Sequence, residues 1–164
     1  TDIIIVANPV KTADGLHRKR RVTQITEVRK TWEEDPLREG GFVDLFRYNS
    51  LTDTLEPTDA LLNGESEIIK AIGGQVKEWA GNWDAIWENI QLRAKMKRTQ
   101  VDYAMQLGLP QLLEAESTML LNDEFHKISD EVRTHEGQLD IKKIFFYWQE
   151  ALKKHIRQVY KRSI

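Results

Sequence analysis

The spacing of apolar residues changes partway along the chain, from a period near two to a period near 3.6. Residues 2–6, Asp2-Ile3-Ile4-Ile5-Val6, form a short apolar run. Residues 20–29 follow a block of cations and place Val22, Ile25 and Val28 among β-branched neighbours. Both segments predict strands, because β-branched side chains pack well on a pleated surface. Asn8-Pro9 and Asp14-Gly15 lie between them and predict turns. Residues 42–48 alternate with period two, putting Phe42, Asp44, Phe46 and Tyr48 on one side. Asn49-Ser50 predicts a turn, and residues 52–56 a returning antiparallel strand.

From about Ser66 the pattern is helical. Ser66 suits the N-cap of a helix carrying Ile68, Ile69, Ile72, Val76 and Trp79, with Gly73-Gly74 weakening its centre and Gly81-Asn82 ending it. A long helix over 83–107 places Trp83, Ile86, Trp87, Ile90, Ala94, Val101, Ala104 and Met105 along one stripe. Gly108 suits its C-cap, and Pro110 the first turn of the next helix. That helix is expected to reach Val132 with Leu112, Leu113, Leu120, Leu121, Phe125 and Ile128 inward, before a break around Gly137. A last helix carries Ile141, Phe145, Trp148, Leu152, Ile156 and Val159 at spacings close to a heptad seam. The expected fold class is α+β: few strands with a hairpin over 1–56, then about four helices over 57–164.

Composition narrows the function. At 164 residues the chain can bury a sizeable core, and its 40% hydrophobic and 30% charged residues are those of an ordinary soluble protein. No run of about 18 apolar residues is present, so direct membrane insertion is not expected. The chain opens in mid-strand without Met or a signal-peptide pattern, which suggests a piece of a longer protein. The absence of cysteine excludes disulfides, thiolate nucleophiles and thiolate metal sites. Charge is uneven: residues 1–30 balance at +4, residues 31–90 at −9 and residues 91–164 at +3. An acidic middle between basic ends argues against a continuous nucleic-acid surface and suits head-to-tail packing of subunits.

Motif chemistry is sparse. There is no glycine-rich phosphate loop, and His17, His126, His135 and His155 are too far apart for a local metal pair, so no metal site is expected. The acidic loop Glu33-Glu34-Asp35 lacks the ligand-rich form of an EF-hand and fits solvated surface.

Three ordered segments carry a resemblance. The first is the apolar strand Ile3-Ile4-Ile5-Val6, the turn Asp14-Gly15 and the strand from Arg20 to Val28, of the form Arg-Arg-Val-Thr-x-Ile-x-Glu-Val. The second is Tyr48-Asn49-Ser50-Leu51-Thr52-Asp53-Thr54-Leu55. The third is a helix with Arg93-Ala94-Lys95-Met96, then Val101-Asp102-Tyr103-Ala104 and Gly108-Leu109. Together they resemble the C-terminal part of the secretion ATPase superfamily, in its archaeal branch, which powers type II and type IV secretion, type IV pili and archaella. The match covers about residues 1–132 and is less distinct over the last thirty.

The resemblance implies a hexameric ring whose RecA-like core binds ATP and magnesium through a phosphate loop. Those elements would precede Thr1, and phosphoryl transfer needs a backbone cradle, a lysine and a magnesium site. The chain alone is therefore expected to hydrolyse no ATP and to hold no cofactor. It would supply the edge strands of the core and a helical cap, with neighbouring ring subunits and a membrane platform protein as partners, at the cytoplasmic face of the membrane. Arg20 or Arg21 would reach a nucleotide phosphate or an acidic face of the next subunit; the alternative is a solvated cluster guarding an edge strand. Trp79, Trp83 and Trp87, at spacing four, and Phe145 with Trp148 would dock a partner or pack between helices. Two other classes compete: a stand-alone protein-interaction module, and a nucleic-acid binder using residues 18–21 with Arg29 and Lys30.

Overall fold

The computed structural model describes residues 1–11 and 15–162, apart from the side chains of Tyr160 and Arg162. The fold is α+β. Its chain forms two compact units, Thr1–Trp83 and Asp84–Ile164. The boundary expected at 56/57 differs from this one by two short helices that belong with the sheet.

The first unit is built on an antiparallel meander: β1 (Ile3–Lys11), β2 (Arg18–Val28), β3 (Phe42–Asn49) and β4 (Thr54–Pro57), paired in that order. β1 runs five residues beyond its expected end because Pro9, which cannot donate to a ladder, is tolerated on an outer strand. Gly15 adopts φ +69°, as a tight turn requires, while Asp14 lies outside the described residues. Pairing shifts between Val6 and Ala7 in β1, and between Ile25 and Thr26 in β2, where Leu45 is the extra residue on β3. That bulge interrupts the expected alternation of β3 and turns Leu45 into the core.

Two short helices follow, α1 (Asp59–Leu62) and α2 (Glu67–Gly73). Thr58 caps α1 and donates to the Asp44 carbonyl at 2.6 Å, fixing the helix to β3. Ser66 caps α2 as expected, but the helix stops at Gly73 instead of running to Gly81. Adjacent glycines carry roughly 1 kcal/mol each against helix formation, enough to end a seven-residue helix with few contacts. Val76 and Trp79 therefore lie in turns.

The second unit contains the rest of α3 (Trp83–Leu107), a short 3-10 turn over Pro110–Leu113, α4 (Ala115–Glu136) and α5 (Ile141–Arg162). Its core joins Leu92, Met96, Leu121, Phe125, Ile128, Val132, Ile144, Trp148 and Leu152. The helix expected from Pro110 onward is split at Glu114, whose extended backbone precedes α4. Gly137 ends α4 at φ +72°, its N–H donating to the Arg133 carbonyl.

Helix phases differ from those expected. On α3, Ile86 and Ala104 are buried, but Val101 and Met105 are exposed and Leu92, Met96 and Gln100 face inward. Leu113 and Leu120 are likewise exposed, whereas Leu112, Leu121, Phe125 and Ile128 are buried as expected. On α5, Trp148, Leu152 and Val159 are buried, joined by Ile144 and His155. Among the described residues, no helix is long and apolar enough to cross a membrane.

Candidate functional site

The expected basic site lies on β2. Alternation sends Arg20 and Arg21 to opposite sides of the strand. Arg20 is exposed, as are Arg18 and Lys19. Arg21 is half-buried and committed within the chain: its Nε and Nη2 donate to the two carboxylate oxygens of Asp53, each at 2.8 Å. This fork-to-fork pair fixes direction as well as charge. Tyr48 adds a third donor to Asp53 Oδ1 at 2.9 Å. The Arg21 and Tyr48 hydrogen bonds hold the Asp53 carboxyl far below the ordinary carboxylate range. The hydrogen bond to Asp53 in turn raises the pKa of Tyr48.

A second polar network continues along the sheet. Thr26 Oγ1 and Gln24 Nε2 both donate to Asp44 Oδ1 at 2.6 Å, and Arg47 donates to Asp44 Oδ2 at 2.7 Å. Desolvation opposes ionisation of Asp44, but the Thr26, Gln24 and Arg47 hydrogen bonds outweigh it and lower its pKa. Every partner in this network is a donor to a carboxylate, so it stiffens the sheet without leaving a nucleophile or a base exposed.

Glu27 was not among the expected site residues, yet it is the most buried acid in the sheet, with 0% of its surface exposed. It accepts from Ser66 Oγ at 2.6 Å, from the Glu67 N–H at 2.8 Å and from the Ile68 N–H at 3.4 Å. Ser66 Oγ accepts from the Ile69 N–H in turn. The acid from β2 thus satisfies the free donors at the start of α2 and ties helix to sheet. Its sequence signal was slight: an acidic residue in an alternating strand reads as an outward position.

The aromatic candidates divide. Trp83 is half-buried, donates from Nε1 to the Leu62 carbonyl at 3.2 Å and lies against Gly64. A Cβ on Gly64 would meet the indole at 2.8 Å, and Gly64 has φ +74°, so glycine is required there. Trp79 is also half-buried but sits outside any helix, so the three tryptophans do not form one helical stack. Trp87, half-buried, is one turn beyond Trp83 on α3. Trp148 is 1% exposed, stacks with Phe145 at a centroid distance of 6.2 Å and donates to the Leu121 carbonyl at 3.1 Å. It presents no outward face on which a protein partner could dock. Phe145 is half-buried beneath Lys95, whose Nζ lies 4.0 Å from the ring centre.

The acidic loop is more ordered than a solvated run requires. Glu39 accepts backbone N–H bonds from Glu33, Glu34 and Asp35, which lower its pKa.

One arrangement imitates a catalytic pair. His155 Nε2 lies 2.9 Å from Ser117 Oγ, and both residues are buried. Ser117 Oγ, however, donates to the Gln111 carbonyl at 2.9 Å. Its proton is therefore engaged, and His155 Nε2 is the donor to Ser117, the reverse of the arrangement that activates a serine. No group of three or more potential metal ligands is found among the described residues. No family model, curated protein or solved structure matches the chain.

Proposed function

We propose that this chain is the C-terminal part of a hexameric motor ATPase of the secretion and pilus type, serving as a structural and force-transmitting cap. In this reading ATP and magnesium bind elsewhere in the parent protein. The cap passes motion to a membrane platform protein and touches neighbouring subunits of the ring. It stands at the cytoplasmic membrane only through those partners.

The observation that carries the reading is the Arg21–Asp53 pair. The two residues belong to the first two segments of the resemblance, 32 positions apart, and their double hydrogen bond makes these segments one physical unit. This gives a structural reason for both segments to occur together. It also narrows the roles: Arg21 is spent on Asp53, so Arg20, exposed on the other side of β2, is the residue free to meet an acidic neighbour.

The outer edge of β1 supports the same reading. Ile5 is 62% exposed, and residues 3–10 carry no charge. An apolar outer strand gains from coverage, which a larger core sheet would provide. A stand-alone interaction module would use the same edge to recruit a partner strand, so the edge alone does not separate the two.

The coding sequence upstream of Thr1 separates them. The motor reading expects a Gly-x-x-x-x-Gly-Lys-Ser/Thr loop there; its absence from the whole open reading frame favours the interaction module. With magnesium present, the chain by itself should show no ATP turnover above a buffer blank. Robust turnover would overturn the assignment.

A further inference from the structure

The helical unit contains a cavity of about 280 Å3 between α3, α4 and α5. Its floor is apolar: Met96, Leu121, Phe125 and Trp148 are all buried. Its rim is cationic, formed by Arg93 and Lys97 on α3. We propose that this cavity binds a small organic monocarboxylate, with an apolar or aromatic body against the floor and its carboxylate between Arg93 and Lys97.

Charge is the first argument. Arg93 and Lys97 stand one helical turn apart, a spacing at which like charges repel. Among the described residues neither forms an ion pair, whereas Arg98, on the same helix, is paired with Asp102 at 3.0 Å. An anion at the rim would relieve the repulsion.

Preorganisation is the second. Arg93 Nε donates to Asn89 Oδ1 at 3.1 Å, and its guanidinium carbon lies 4.4 Å from the centre of the Phe125 ring. The fork is held before a ligand arrives, so less ordering remains to be done on binding. Partial burial lowers the pKa of Arg93 by desolvation, with no carboxylate offsetting it.

Size and polarity set the class of ligand. Small-molecule sites span roughly 300–1,000 Å3, and this one lies just below that range, too small for a nucleotide. Trp148 Nε1 donates to the Leu121 carbonyl and Gln100 Nε2 to the Leu112 carbonyl, and the other polar side chains of the lining, Thr118 and Asn122, are neutral and balance no charge. The floor therefore offers apolar contact, and the ligand's charge must stay at the rim.

The chain has three methionines, which provide a located readout. Met96 and Met119 line the cavity, while Met105 is 75% exposed and does not. With methyl-13C-methionine in the full chain, titration with 3-phenylpropionate should shift the Met96 and Met119 signals saturably and leave Met105 in place. The neutral analogue 3-phenylpropanol should bind at least tenfold more weakly, as should 3-phenylpropionate to Arg93→Gln. Lys97→Ala, at an exposed position where folding is not at stake, should weaken binding about threefold. No saturable shift, equal movement of Met105, equal affinity for the alcohol, or unchanged affinity in Lys97→Ala would each overturn the proposal. The motor reading uses no part of this cavity and is untouched by that result.

Discussion

Asp53 sits at φ 52°, in the left-handed region where residues other than glycine meet steric cost. Its two hydrogen-bonded partners, Arg21 and Tyr48, hold it there. Because its folded-state pKa lies below the usual 3.8, it contributes stability above that pH, and the contribution is lost as pH falls through the depressed value. Asp53→Asn keeps a residue that tolerates the left-handed region while removing the charge. The wild type should melt about 2 °C above the variant at neutral pH, a modest gap for an exposed pair, and the gap should close on acidification below pH about 4. Thermal scans across pH test this. The cations of this site were plain in the sequence, but their partner was not. Arg20 and Arg21 stand out as a block; nothing in the neighbourhood of Asp53 announces that it receives Arg21 from another strand.

At the scale of elements, the strands and the longer helices were legible in existence and order, whereas α1 and the phases of the helices were not. The 3.6 period over 83–107 is clear, yet apolar residues surround that helix broadly enough that only its partners select Leu92 and Met96 over Val101 and Met105. Gly73-Gly74 was visible as a weak point; its outcome depended on how few contacts α2 makes, a property no local window contains. What secures α2 comes from outside it. Glu27→Ala would leave Ser66 Oγ and the N–H groups of Glu67 and Ile68 without their acceptor, and should destabilise the sheet unit by about 3 kcal/mol. Glu27→Gln should cost less, because one oxygen remains to accept. Denaturant titration of both variants provides the check.

At the scale of the whole molecule, the two units are unequally provided with core. Of the buried hydrophobic residues among those described, the first unit holds Leu45 and Leu61, and the others lie in the second. Stability within one chain follows such differences in apolar burial. Native-state hydrogen exchange should therefore divide near Trp83, with amides of β1 exchanging well before those of α4 and α5. Uniform protection across both units would contradict this. The change of apolar period from about Ser66 made two parts legible, but not that α1 and α2 belong with the sheet, since their attachment runs through Thr58 and Glu27 and not through periodicity.

A strand that slips by one position against its neighbour turns every side chain over. For β2 the penalty would be unusually steep. Such a slip would carry the ionic head of Glu27 to the opposite surface, away from its waiting hydroxyl and amides, and set an aliphatic or hydroxyl neighbour in its place. The acid thus acts as a proofreader of assembly: only one alignment of the sheet lets it find its donors, and every misaligned version is left with donors that have no acceptor.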